Sequence, residues 1–260
     1  MRDYVAFSRL REHMDEQSVQ KALADLPDIK GLFCYAFPYF AGKREGNISL
    51  YARGKDYHKV ISAKLGEECK KLREEYPNNT FLPYVDISPF PEVMAAAMAG
   101  LGKKGKHGLL ITEKYGSFVF VGVIATNLEM QGGKPAEVCC GCNACIKACP
   151  NRALSERGFD ERRCLSAITQ RKGELTDEEK ALMRSCNSVW GCDACQLACP
   201  ENAKVIQTHI DEFKDDLIDF LTGQDLQDSN KQLQKKYSDR AFIWRGAAVL
   251  KRNIEILEDK

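Results

Sequence analysis

The segment 139-CCGCNACIKACP-150 decides how this chain is read. Cys139, Cys142, Cys145 and Cys149-Pro150 follow the run C-x2-C-x2-C-x3-C-P. In that spacing a tight loop wraps three thiolates around one [4Fe-4S] cluster, and the following turn sends the fourth sulfur to a neighbouring cluster. Gly141–Asn151 (GCNACIKACPN) recurs as Gly191–Glu201 (GCDACQLACPE), matching at the glycine, three cysteines, two alanines and the proline. This internal duplication implies a pseudo-twofold pair of cluster sites. The second copy supplies Cys192, Cys195 and Cys199-Pro200 but lacks a first cysteine at that spacing.

Two such clusters need eight thiolates. The two copies give seven, so the eighth must come from Cys164 or Cys186. Cys140 competes with its neighbour Cys139 for the first position. Tetrahedral all-cysteine zinc sites also use C-x2-C pairs, but successive two-residue gaps followed by Cys-Pro are foreign to them. Cys34 and Cys69, far from the cysteine-rich stretch, read as small buried hydrophobes.

The rest of the composition is that of an ordinary globular protein. The 260 residues are 44% hydrophobic and 29% charged, with 38 Lys and Arg against 37 Asp and Glu. No global field draws in nucleic acid or an anionic membrane. The charged N-terminus has no apolar signal region. The longest apolar run, Phe118–Ala125, falls short of the roughly 20 residues a membrane helix needs. A soluble, cytoplasmic chain is expected, without membrane association. In a reducing cytosol, twelve cysteines point to metal or redox chemistry rather than disulfides.

Periodicity predicts helices over residues 1 to about 30, with Ser18 as a cap, and a buried strand in Lys30–Phe40. An amphipathic helix follows with Val60, Ile61, Leu65 and Leu72 on its stripe. A short strand then ends at Asp86, and a helix runs from Pro91 to a stop at Gly100. The two β-rich runs around 113-EKYGS-117 read as a hairpin. After the cysteine blocks, 209-HIDEFKDDLIDFL-221 and 243-IWRGAAVLKRNIEILE-258 have helical periodicity, with the polar linker 223-GQDLQDSNKQ-232 between them. The expected class is α+β, in three segments: 1–130, catalytic; 131–205, ferredoxin-like with two clusters; and 206–260, helical.

A two-cluster electron relay needs only about 60 residues, and the 130 before it call for a second redox centre. The glycine-rich Gly100–Gly108 follows a helix and lacks the GxGxxG spacing, which disfavours a nicotinamide site. Several blocks, in order, resemble the epoxyqueuosine reductases, cobalamin-dependent enzymes with two [4Fe-4S] clusters related to reductive dehalogenases. These blocks are ARGKDYHKVISAKL, VDISPFPEVMAAAMAGLGKKGKHGLLITEKYGSFVFVGVIATNL, the cysteine repeats, RCLSAITQRKGEL, WGCDACQLACP and WRGAAVLKRN. The resemblance spans residues 30 to 255.

That resemblance implies a nitroreductase-like α/β core binding cobalamin, beside a bacterial two-cluster ferredoxin-like domain that passes electrons to cobalt. It selects Cys164 over Cys186. The ligand sets become Cys139, Cys142, Cys145 with Cys199, and Cys192, Cys195, Cys149 with Cys164. It makes Asp86 the proton donor for removing an epoxide oxygen as water. It places Asp56, Tyr57, His58, Leu110, Tyr115, Gly116, Ser117, Val121, Ser166 and Gln170 around cobalamin.

Read without the resemblance, Asp86 is a carboxylate at the end of an apolar strand, desolvated enough to stay protonated, or else a helix cap. The resemblance further implies an external electron donor of the flavodoxin or ferredoxin type and a tRNA or queuosine-precursor substrate, in a monomer. Family members continue into HEAT-like repeats after the last matched block, so a form lacking those repeats is expected. An often-present tryptophan before GKDYH is Arg53 here. Two other classes fit the residues: another cobalamin-dependent reduction such as dehalogenation, and a non-catalytic electron carrier or cobalamin-handling protein. A carrier has no use for the proton donor Asp86.

Overall fold

The computed structural model describes residues 2–137 and 139–259; Met1 and Lys260, the outer ends of the expected first and last segments, lie outside it. The chain divides into two compact units, Met1–Pro38 with His58–Cys140, and Tyr39–Tyr57 with Gly141–Lys260. The cut is discontinuous, unlike the contiguous segments expected from composition. The reason is hydrogen bonding. Within the second unit, Ser49 N–H donates to the Trp190 carbonyl at 2.7 Å. Asn47 Nδ2 donates to the Leu221 carbonyl at 2.7 Å.

The first unit is α+β. Its sheet has the order β1-β2-β6-β3, with β1 Arg2–Ala6, β2 Gly31–Pro38, β3 Phe81–Tyr84 and β6 Val119–Thr126, every pairing antiparallel. Period-two alternation sends Leu32 and Cys34 of β2 to one core, with Val123 and Ala125 of β6. That core is closed by α1 (Phe7–Leu10), α2 (Glu16–Asp25) and α4 (Glu92–Ala99), through Leu10, Val19, Ala22, Ala95, Ala96 and Ala99. On the opposite face lies α3 (Tyr57–Glu75), which buries Ile61, Leu65, Cys69 and Leu72. A Cβ on Gly122 would meet Leu65 Cδ1 at 3.0 Å and Ile61 Cγ2 at 3.1 Å, so the missing side chain lets this helix lie close on β6.

Several expected elements change. The N-terminal stretch begins as β1 rather than helix, because its alternation buries Val5 against the sheet. The cap of α2 is Asp15, whose carboxylate accepts from Ser18 N–H at 2.8 Å; Ser18 sits inside the helix. The hairpin around Glu113–Ser117 does not form between two long strands. β5 (Leu110–Ile111) pairs instead with β4 (Lys103–Lys104), and only the bridge Thr112–Gly116 spans the turn. Buried Cys34 and Cys69 behave as the small hydrophobes expected.

In the second unit the cysteine repeats form α5 (Ala144–Ala148), followed by the short ribbon β7 (Leu154–Ser155) and β8 (Gly158–Phe159). Helices α6 (Leu165–Gln170), α7 (Asp177–Ser185) and α8 (Ala194–Leu197) come next, with α8 packed on α5. Of the expected helix 209–221 only the 3-10 turn Asp211–Phe213 is present, with the Ile210 carbonyl accepting one bond and the Asp211 carbonyl two. The expected linker instead holds a capped 3-10 helix, Gly223–Gln227, and the start of α9 (Asn230–Lys236). The last helix, α10 (Ala247–Glu258), buries Val249, Leu250, Asn253, Ile254 and Ile256.

Candidate functional site

The duplication is visible in the backbone. Gly141 and Gly191, which open the two copies, hold φ of +70° and +75°, a region costly for a residue with a Cβ. At Gly191 a Cβ would lie 2.5 Å from the Cβ of Ser49, so no larger residue fits without displacement. Each copy then makes one short helix, α5 or α8, and ends at a cysteine in extended conformation, Cys149 or Cys199.

Three thiols of the second expected ligand set, Cys149, Cys164 and Cys192, act on the fourth, Cys195. Burial, followed by the charges of Cys192, Cys164, Asp193 and Cys149, pushes the Cys195 thiol up to about 12. Burial likewise pushes Cys192 up to about 11, with Asp193, Cys164 and Cys186 adding to the rise and the Ala194 backbone N–H opposing it. Cys164 therefore acts on both Cys192 and Cys195, whereas Cys186 acts on Cys192. Cys149 Sγ accepts from Ala153 N–H at 3.2 Å.

Buried thiols raised by neighbouring sulfurs, as at Cys192 and Cys195, fit a polycationic cluster, which neutralises the thiolates and offsets their desolvation. Among the described residues, no three His, Cys, Asp or Glu converge as ligands of a single metal ion. Of the other expected set, Cys142 is exposed and Cys145 and Cys199 are buried in the second unit, while Cys139 falls in the first. Exposed Cys140 also falls there.

On the first unit, Asp86 and His58 meet: His58 Nε2 lies 3.2 Å from Asp86 Oδ2. His58 is set by the first turn of α3. Asp86 stands beyond β3 at the apex of a three-residue turn closed by Ile87 N–H to the Val85 carbonyl at 2.7 Å. Its φ is +62°, a strained placement for a non-glycine residue that its surroundings must hold. Two sequence expectations change here. The Asp86 side chain is 54% exposed in the folded chain rather than desolvated, because the turn carries it past the end of the sheet. The cap of α4 is Pro91, not Asp86.

The buried carboxyl of this neighbourhood is Glu92, which the sequence reading missed. Burial pushes it up to about 7; the Asp86 charge adds to the rise, while bonds from Ser88 and the Asp86 backbone N–H oppose it. Its position six residues past Asp86, at the first turn of an alanine-rich helix, was the available signal.

The remaining expected residues are distributed over both units. Leu110 is buried in β5, and Val121 stands on β6 opposite Ala36. Tyr115 N–H donates to Thr112 Oγ1 at 3.3 Å. Gly116 takes φ +54°, and Ser117 is buried. Nearby, His107 Nδ1 accepts from Leu109 N–H at 3.2 Å, which leaves the proton on Nε2. That buried Nε2 has no hydrogen-bond partner among the described residues.

In the second unit, Asp56 N–H donates to the Asp239 carbonyl at 2.7 Å. Tyr57 packs edge-on against Tyr51. Gln170 Nε2 donates to the Ser166 carbonyl at 3.1 Å, and Gln170 Oε1 accepts from Trp244 Nε1 at 3.2 Å.

Comparison with known proteins gives a consistent picture. Residues 138–202 match the family profile described as 4Fe-4S double cluster binding domain, and residues 24–87 match Epoxyqueuosine reductase QueG, DUF1730. The epoxyqueuosine reductase of Lactococcus garvieae is 36% identical over 218 residues, covering 81% of this chain and 61% of that protein. That of Aliivibrio fischeri is 40% identical over 169 residues, covering 64% of this chain and 45% of that protein. This chain thus spans about half to two thirds of the length of these relatives.

Among solved structures, the epoxyqueuosine reductase of Streptococcus thermophilus superposes with a TM-score of 0.86 at 26% identity, covering 99% of this chain and 76% of that one. An epoxyqueuosine reductase solved with an epoxyqueuosine-modified tRNA stem loop gives 0.87 at the same identity and coverage. Among the described residues, no helix is long and apolar enough to cross a membrane.

Proposed function

We propose that this chain, a relative of the epoxyqueuosine reductases, is a two-cluster iron–sulfur reductase that converts epoxyqueuosine to queuosine in tRNA or a fragment of it. The reaction is a two-electron deoxygenation: an epoxide, two electrons and two protons give an alkene and water. The observation that carries the catalytic reading is the pairing of Asp86 with His58, a proton donor backed by a second titratable group at the end of the sheet. An electron carrier has no need of such a pair.

One ligand set is Cys149, Cys164, Cys192 and Cys195, supported by the influence of the other three thiols on Cys195 and of Cys164 on Cys192. The other is Cys139, Cys142, Cys145 and Cys199, which rests on the C-x2-C-x2-C-x3-C-P spacing. The clusters would receive electrons one at a time from a flavodoxin- or ferredoxin-type donor.

Cobalamin, held on a nitroreductase-like core, would supply the low-potential electrons at the epoxide carbon. On the first unit its contacts would include His58, Leu110, Tyr115, Gly116, Ser117 and Val121. The unpartnered Nε2–H of His107 fits an oxygen acceptor of such a group. Asp86 would hold the proton destined for the epoxide oxygen, and His58 would orient its carboxyl and return a proton afterwards.

The test is anaerobic titration of the cluster-reconstituted protein with cob(II)alamin, followed by EPR at the cobalt signal, then turnover of an epoxyqueuosine-containing tRNA stem loop. A stoichiometric protein-bound cobalt spectrum with queuosine formed supports the reading. Binding without queuosine formation moves the activity to another cobalamin-dependent reduction. Absence of binding with both clusters intact leaves the electron-carrier reading.

A further inference from the structure

Asp86 sits at the apex of a strained turn, and the group behind that turn is Glu92. The carboxyl of Glu92 takes hydrogen bonds from the Ser88 side chain and from the backbone N–H of Asp86 itself. It therefore ties the first turn of α4 to the strained residue. Its Oε1 is buried with no partner among the described residues. A buried carboxylate oxygen without a donor is costly, and a protonated carboxyl lowers that cost.

The groups that act on it are few. Asp86 faces it across the turn, and the Glu92 charge in turn acts on buried Cys34 of β2, as does that of Asp3 of β1. The Asp86 charge opposes ionisation of Glu92, whereas the bonds from Ser88 and the Asp86 backbone N–H favour it. The N-terminal position on α4 favours a negative charge, but only by about 0.3–1 kcal/mol at a helix end, less than the burial opposes.

We propose that Glu92 is a positioning residue for Asp86: its carboxyl clamps the Asp86 turn from behind, and its protonation state decides whether that turn carries a charge from Glu92. While Glu92 is protonated it adds no charge beside the Asp86 carboxyl, and the clamp holds the turn through hydrogen bonds alone. Ionisation of Glu92 places a negative charge beside the Asp86 carboxyl, which works against the compact turn. This inference rests on the proposed reductase reading for its kinetic consequence, though not for the clamp itself.

The experiment has an arm that needs no substrate. Difference infrared spectra of the holoprotein between acid and alkaline pH should show a protonated carboxyl band titrating near neutrality, and Glu92→Gln should remove it, with circular dichroism and iron content unchanged. A band that persists in Glu92→Gln overturns the assignment, as does the absence of any such band in the wild type. The second arm is kinetic. On epoxyqueuosine stem loop, Glu92→Gln should lower kcat by about 100-fold with KM nearly unchanged, the scale of a displaced catalytic group. It should also flatten the alkaline limb of the pH profile. Wild-type kcat and profile in Glu92→Gln overturn the positioning role. A wild type that reduces no epoxyqueuosine defeats the functional reading alone, while the infrared arm still decides the clamp. If Glu92→Gln loses secondary structure, Ser88→Ala serves in its place: it removes one bond to the carboxyl, and the band should then titrate at higher pH. An unmoved midpoint counts against the clamp.

Discussion

His58 Nε2 stands 3.2 Å from Asp86 Oδ2, although the two residues are 28 apart in sequence. The first turn of α3 supplies one and the turn after β3 supplies the other, so the proposed catalytic pairing draws on two ends of one α+β unit. Both side chains are partly exposed, and an exposed pair of this kind adds little to stability. Its value lies in orientation. Asp86→Asn should therefore leave thermal unfolding and iron content unchanged while lowering turnover by about 10²- to 10⁴-fold, the usual contribution of a general acid. Stopped-flow or single-turnover assay of queuosine formation checks this, and full activity in the variant would remove Asp86 from the proton-donor role.

Cys164 and Cys186 both act on Cys192, but Cys164 acts on Cys195 as well. Anaerobic reconstitution of Cys164→Ala should drop bound iron from about eight toward about four per chain, whereas Cys186→Ala should keep about eight. Iron and sulfide analysis with EPR of the reduced protein reads the outcome. The reverse pattern assigns the eighth ligand to Cys186.

Gly191→Ala places a methyl group 2.5 Å from Ser49 Cβ at a φ of +75°. Strain of this type costs of order 1–3 kcal/mol, so the variant should unfold at lower temperature and reconstitute its clusters poorly. Gly141→Ala is a matched control with the same backbone strain but nothing within 4 Å of the new Cβ, and it should be the milder of the two.

Glu92 also makes stability depend on pH in a direction opposite to most carboxylates. Its folded-state value is raised from 4.5 to about 7, so the folded chain holds that proton more tightly than the unfolded chain. The contribution is fully present below about 4.5, declines as pH rises through the interval, and is gone above about 7. The loss amounts to about 3 kcal/mol at most, at about 1.4 kcal/mol per pH unit. The paired carboxylates Asp219 and Asp225 are lowered and act in the opposite sense, so the comparison must be wild type against Glu92→Gln at each pH. The variant should gain on the wild type between about pH 5 and 7, as read by denaturant or thermal unfolding. A constant difference across that range would contradict the shift.

Arg53 takes the place that resemblance assigns to an aromatic residue, and the structure gives it a different task. Its guanidinium is buried and donates to the Ile48 carbonyl at 2.7 Å, the Arg44 carbonyl at 2.9 Å and Asp219 at 3.0 Å. Arg53→Ala should cost about 3–5 kcal/mol, as expected when one partner of a buried ion pair is removed. A drop in unfolding midpoint with the first unit's secondary structure retained would locate the damage in the second unit.

The cysteine repeats were legible in the sequence because cluster ligation is local: spacing of two or three residues sets which sulfurs one loop can present, whatever surrounds it. The same holds for α3 and α4, whose apolar stripes and the Gly100 stop are properties of short windows. Periodicity failed at the turn around Glu113–Ser117 and in 209–221. In those places polar loops and single carbonyl bonds to neighbouring segments replace the regular pairing that alternation alone predicts. The sequence by itself therefore determined the two-cluster module, the α+β class and the candidate residues. Tertiary structure alone decided which carboxyl is buried, which histidine meets Asp86, and that residues 39–57 join the second compact unit. Burial and long-range hydrogen bonds depend on strand order and chain crossing, which no local pattern of residues encodes.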